Sequence, residues 1–361
     1  MTDEHVVILG QLPPPVHGST IMTARLRDAL KQSGRHIEVV ERRFSSTIDQ
    51  VGRVSMRKVL LVPLLWWRLS RAVRSRPRAT VMFLTDRPGS FLIDAVSTRI
   101  ASRGGRSLVH YVHTQGFRRL ALRGRVWNTL VGRVLGSADL VVCLSPALAR
   151  DIEPFVDHTR IRIIPNTVGD ACAGARSSSV ECTIVFVSNL FPSKRPHLVV
   201  DVVERLAAEG VDVRAIIAGA AIIENYGRAL RERIERSPMR DAVTLVGAVD
   251  EMRRAELFDV ASVLLHPTED DAQPLVILEA IRAGVPVVAS AVGGIPDILD
   301  DPLLGEAVPG GDAGALAQAV RRVVDRDSAA LAVERRVLYQ ADYGLAAFRE
   351  RWDALLAESR A

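Results

Sequence analysis

Short apolar runs recur along this chain, each closed by Gly, Pro or polar residues and followed by a longer segment of helical period. Val6-Val-Ile-Leu-Gly10 reads as the first strand, and the helix that follows is predicted over residues 21–30. Residues 80–85, 107–112 and 138–145 continue the series in the first half. Residues 182–190, 213–219, 242–249, 261–265 and 286–290 continue it in the second. Strands that alternate with helices predict an α/β fold with parallel, doubly wound sheets, whose ligands gather at the carboxyl ends of the strands.

One such strand end stands out. Between the strand at 261–265 and a helix that should stop at Gly284 lies Glu269-Asp-Asp-Ala-Gln-Pro-Leu-Val-Ile-Leu-Glu279. Pro274 suits the first helical position, so the N–H groups of Leu275, Val276 and Ile277 are expected free at a phosphate-attracting helix end. Asp271 precedes those amides and Glu279 follows them by about one turn. A ligand with hydroxyls at both ends and a diphosphate between them, a nucleotide sugar, would fit. A charged loop before an ordinary amphipathic helix would look the same.

Composition narrows the classes. At 361 residues the chain suits two α/β domains, with 48% hydrophobic residues and no low-complexity stretch. No apolar run approaches the ~20 residues of a membrane helix, and Val6–Leu9 reads as a strand, not as the core of a signal peptide. Cys143, Cys172 and Cys182 form no paired spacing and suit a reducing cytoplasm. The net charge of +5 divides into roughly +14 over residues 1–165 and roughly −9 over the remainder. A basic half admits nucleic acid, an anionic membrane or an anionic substrate. Nucleic acid is not expected as a partner, since no helix-turn-helix, zinc finger or aromatic RNA-binding motif accompanies the arginines.

Residues 53–78 carry Arg57, Lys58, Arg68, Arg71 and Arg74 around an apolar run that contains Trp66 and Trp67 and is expected to break at Pro63. The segment suits a membrane interface, with rings at headgroup depth and cations on anionic lipid. The competing reading is a core helix with a solvated basic face.

Asp271-Ala-Gln-Pro-Leu-Val-Ile-Leu-Glu279-Ala resembles the signature of retaining glycosyltransferases of the GT-B type, in the large family 4, or group 1, class. Asp271 stands where a Glu is usual, and Ala272 where a Gly is. The resemblance implies two Rossmann-like domains facing a central cleft. Arg162-Ile-Ile-Pro-Asn166 resembles the family's hinge strand. It places an acceptor-binding domain over residues 1–167, joined by a terminal helix at 343–360, and a nucleotide-sugar domain over 168–342, with 170–179 as linker.

The resemblance also assigns roles. His113, at a strand end, is expected near the anomeric carbon, while His110 is expected to be packed. Asp271 contacts the transferred sugar, and Lys194 clamps the diphosphate. Asn189 replaces the usual second cation there, a charge Arg195 could supply. Donor contacts are further implied for Gly18, Ser19, Gly247, Gln273, Pro274, Leu275, Val276 and Glu279, the last on the ribose hydroxyls. Ser19 or Thr20 is expected to cap the first helix. The implied reaction is a metal-independent, retaining, front-face transfer from a nucleoside-diphosphate sugar to an acceptor hydroxyl, with no cofactor beyond that co-substrate. The acceptor would be a glycan, a lipid-linked or a small molecule in bacterial surface-glycan synthesis, met in the cytoplasm or on the membrane's cytoplasmic face. A nucleotide-sugar epimerase and a non-catalytic nucleotide-sugar-binding protein remain as alternatives.

Overall fold

Two parallel six-stranded sheets organise the chain. The computed structural model describes residues 4–42, 56–104, 107–170 and 182–358, with the side chains of 56–60 left out. Arg53, Cys172, the side chains of Arg57 and Lys58, and all of the expected linker except Asp170 therefore lie outside the described residues. The chain divides into two units: Met1–Thr167 with Leu345–Ala361, and Val168–Gly344.

In the first unit β1 (His5–Gly10), α1 (Gly18–Gln32), β2 (His36–Glu41), α2 (Met56–Arg74), β3 (Ala79–Leu84) and α3 (Pro88–Ala101) come first. Then follow β4 (Leu108–Val112), α4 (Phe117–Ala121), α5 (Arg125–Gly136), β5 (Leu140–Cys143), α6 (Pro146–Ala149) and β6 (Ile161–Ile163). The sheet order is β2-β1-β3-β4-β5-β6. β3 and β4 are buried along their whole length, as a strand covered on both faces must be. β2 was not evident in the sequence because its positions are mostly half-buried or exposed at the sheet edge.

The second unit holds β7 (Cys182–Val187), α7 (His197–Ala208), β8 (Val213–Ala218), α8 (Glu224–Glu235), β9 (Val243–Gly247), α9 (Glu251–Val260) and β10 (Val263–His266). It continues with α10 (Leu275–Ala283), β11 (Val287–Ser290), α11 (Ile295–Ile298), β12 (Gly305–Val308), α12 (Ala313–Asp325) and α13 (Ala329–Tyr343). Its order is β12-β11-β10-β7-β8-β9, so the winding reverses between β7 and β10. A crevice opens outside the strand ends at such a switch point. The corresponding reversal in the first sheet falls between β1 and β3.

α14 (Leu345–Glu358) is separated from α13 by the extended Gly344. It belongs to the first unit, where Phe348, Trp352 and Leu356 are buried and the Trp352 ring lies edge-on to Tyr111 at 5.0 Å. Pro63 does not break α2; the helix runs through it, at the cost of one backbone hydrogen bond.

Candidate functional site

The second unit's switch point is built from two loops, one after β7 and one after β10. A 3-10 turn, Pro192–Lys194, ends in Arg195, which takes left-handed backbone at φ 51°. The Glu269 N–H donates to the Ser193 carbonyl at 2.8 Å, which ties the two loops together. A third loop packs against the second of these, the one after β10. Gly293 has φ 56°, and a Cβ there would lie 1.8 Å from the Asp271 carbonyl oxygen, while the Gly294 N–H donates to the Ala272 carbonyl at 2.7 Å. Only glycine allows that approach.

Within this frame Asp271 Oδ2 accepts from Lys194 Nζ at 2.5 Å and from His266 Nε2 at 2.8 Å. Burial alone would raise the Asp271 pKa, but the hydrogen bond and charge of His266, with those of Lys194, outweigh it and hold the carboxyl below its ordinary range. Arg195 Nε lies 3.6 Å from Glu269 Oε1. Lys194 and Arg195 thus stand side by side at the crevice, each facing a carboxylate.

On α10, Glu279 is nearly buried and pairs with Arg254 Nε of α9 at 2.9 Å. Gln273 is buried. Pro274 sits one position earlier than expected: it flanks the helix with extended backbone, and Leu275 is the first helical residue. The Ile277 N–H is not free, because it donates to the Pro274 carbonyl at 3.2 Å. The amides of Leu275 and Val276 have no partner among the described residues. At the end of β9, Gly247 takes φ 76°, with no heavy atom within 4 Å of where a Cβ would stand. Asn189 is half-buried directly after β7, beside Ser188, whose N–H bonds to Ala218.

The structure brings Asn189, Lys194, Arg195, Gly247, Asp271, Gln273, Pro274, Leu275, Val276 and Glu279 to the strand-end side of this one unit. Gly18, Ser19 and His113 belong to the other unit. His113 follows β4, stacked on Phe83 at 4.9 Å and edge-on to Tyr111 at 4.0 Å. Burial lowers its pKa to about 3, so the ring is neutral at pH 7. Its Nε2 is buried without a hydrogen-bond partner among the described residues. His110 is buried mid-strand against Thr98, 3.3 Å away.

The first helix is capped by His17, not by Ser19 or Thr20. Its N–H donates to Thr20 Oγ1 at 3.0 Å in a capping box, and Ser19 Oγ lies 3.1 Å from His17 Nδ1. A Cβ on Gly18 would meet nothing within 4 Å, so the fold itself does not require glycine there. His266, Arg254 and the Gly293-Gly294 turn were not singled out in the sequence. The paired glycines after a buried strand were a readable turn signal. Nothing local marked His266 or Arg254, whose roles arise from contacts across loops and helices.

Residues 181–326 match the family model described as glycosyl transferases group 1, and residues 16–170 match that of glycosyltransferase family 4. A D-inositol 3-phosphate glycosyltransferase of Mycolicibacterium smegmatis is 32% identical over 41% of this chain and 34% of its own. The chain spans 34 to 42% of the length of three curated relatives it matches, that enzyme and two phosphatidylinositol N-acetylglucosaminyltransferase subunits, from Schizosaccharomyces pombe and Arabidopsis thaliana. Among solved structures, sucrose-phosphate synthase from Thermosynechococcus elongatus superposes with a TM-score of 0.75 at 18% identity, covering 98% of each chain. The Anabaena protein HepE, solved with UDP and glucose, gives 0.72 at 17% identity over 98% of this chain and 100% of its own.

Proposed function

From the premise that the chain belongs to the group 1, family 4 glycosyltransferases, we propose that it transfers a sugar, with retention, from a nucleoside-diphosphate donor to an acceptor hydroxyl. The observation that carries this reading is that the loop bearing Lys194 and Arg195 is tied to the loop leading into Leu275 and Val276, whose amides have no partner among the described residues. Cations and a helix N-terminus together favour a diphosphate, and favour it more as the leaving group gains charge. Glu279, kept in place by Arg254, is suited to ribose hydroxyls.

The donor's diphosphate would take Lys194 over from Asp271, leaving that carboxylate to His266 and to the sugar. Neutral His113 would accept or donate one hydrogen bond through its Nε2, which has no partner among the described residues, without adding charge near the anomeric carbon. No residue of this scheme requires a metal. The acceptor would be a glycan, a lipid-linked or a small molecule of surface-glycan synthesis, and an anionic membrane surface is where a lipid-linked one would be met. HepE with UDP and glucose supports a nucleotide-sugar donor here. The engagement of Asp271 by Lys194 favours one second reading, a non-catalytic nucleotide-sugar-binding protein, because it leaves the sugar contact to be made by rearrangement.

Screening UDP-, GDP- and ADP-sugars for thermal stabilisation tests the donor half. A ligand at 100 times its Kd adds about 2.7 kcal/mol, and no stabilisation by any of them would contradict the proposal.

A further inference from the structure

Charge and apolar surface are distributed unevenly over the first unit. α2 packs on α3, and α3 on α5, so these helices with α4 cover one face of the sheet. Inward they bury Leu65, Leu69, Phe91, Val131 and Leu135. Stepping 100° per residue, the opposite stripe of α2 carries Leu64, Trp67, Arg68 and Arg71, all exposed. That of α3 carries Leu92, Val96 and Arg99, and the α4–α5 corner presents Leu122, Arg125 and Val126. Each helix therefore turns large apolar groups and arginine outward together. Trp67 is 58% exposed, Leu122 86% and Val126 80%.

The two tryptophans have opposite fates. Trp66 turns inward and donates Nε1–H to Ser97 Oγ at 3.2 Å, while Trp67 faces outward with Arg71 6.0 Å above its ring. Carboxylates are missing from the outward stripes. Between residues 56 and 138 the acids are Asp86 and Asp94; Asp86 is largely covered, and Asp94 is fully buried and ion-paired with Arg42. A helix layer that needed only solubility would not place Trp and Leu at its most exposed positions. A partner reading charge alone, such as a nucleic-acid backbone, would leave those groups unused.

We propose that this four-helix face docks on an anionic lipid bilayer, with Trp67, Leu122 and Val126 entering the headgroup region and the arginines on lipid phosphates. Among the described residues no helix is long and apolar enough to cross a membrane, so the contact is one of surface insertion. A depression of about 590 Å³ beside Leu122, with Arg118 and Arg133 in its wall, lies at the edge of the same face and is wide enough for a headgroup phosphate. The inference rests on the glycosyltransferase reading only for its purpose, to bring the enzyme to a lipid-linked acceptor; the docking itself needs neither donor nor acceptor.

The experiment is co-sedimentation of the full chain with phosphatidylcholine vesicles, with and without phosphatidylglycerol, at low and high salt. Tryptophan emission and donor thermal stabilisation are followed on the same samples. Binding should require the anionic lipid, weaken with salt and shift the emission to the blue. Trp67→Phe should remove most of that shift, Trp67→Ser with Leu122→Ser should weaken binding at least tenfold, and Arg68→Gln should cost about fivefold. Quenching of the unsubstituted protein by brominated lipid checks insertion independently of any variant. Indifference to anionic vesicles at low salt overturns the inference. So does binding that duplex DNA competes away with no change in emission, which would make the face a polyanion site. Donor stabilisation that persists while vesicle binding fails leaves the glycosyl-transfer reading standing, and the reverse result removes that reading alone.

Discussion

Asp271→Asn separates the observed task of this carboxylate, holding Lys194, from the proposed one, contacting the sugar. Asp271 Oδ2 holds Lys194 Nζ at 2.5 Å, with both side chains about one-fifth exposed. A charge-assisted hydrogen bond in such a setting is worth about 1.5–3 kcal/mol, and a diphosphate arriving at Lys194 recovers most of it by replacing the carboxylate. The remainder, about 1 kcal/mol, is a cost of binding that Asn removes, since the amide lacks the charge but keeps the shape and a partner for His266. Nucleoside diphosphate without sugar should therefore bind the variant about fivefold more tightly. The nucleotide sugar should gain less, because the sugar loses a charged acceptor, and turnover should fall. Calorimetric titration with both ligands reads the difference. Unchanged or weaker diphosphate binding in the variant would refute the exchange at Lys194. The pair itself should survive mild acid: the folded pKa of Asp271 is depressed, so its contribution is present above the ordinary carboxylate pKa and is lost only as pH falls through the lower folded value.

Glu279→Gln should weaken donor binding by about 1.5–3 kcal/mol in calorimetry with the fold intact by circular dichroism; unchanged affinity would remove Glu279 from the ribose. His110 and His113 have folded pKa values lowered to about 3 by burial, so both stay neutral while the unfolded chain takes up protons below its ordinary histidine pKa. Stability should be level above about pH 6.5 and fall below it, approaching about 1.4 kcal/mol per pH unit for each ring. His113→Phe should remove about half of that slope in urea unfolding, and an unaltered slope would show that His113 is not held neutral.

Much of the fold was legible because its strands are buried on both faces and read as continuous apolar runs, as in β3, β4 and β7. The loop from Glu269 to Pro274 was legible for a related reason: acids between a buried strand and a helix can lie only at a strand end. What escaped was pairing across elements. Arg254 reaches Glu279 from another helix, and His266 looks like any other residue ending an apolar run until the loop folds Asp271 back onto it. Single-residue details at helix starts also escaped, since Pro274 and His17 act through backbone geometry that periodicity does not resolve. Trp66 and Trp67, adjacent in sequence, could be told apart only once α2 had a buried side.

Retaining transfer from a nucleotide sugar can be read by proton NMR of the protein incubated with each donor and no acceptor, where water takes the place of the acceptor hydroxyl. One donor should be slowly consumed to nucleoside diphosphate and free sugar, the sugar should first appear as the donor's own anomer, and Lys194→Ala should suppress the release. First appearance of the opposite anomer, accumulation of an epimeric nucleotide sugar, or tight binding without any release would contradict retaining transfer by this protein.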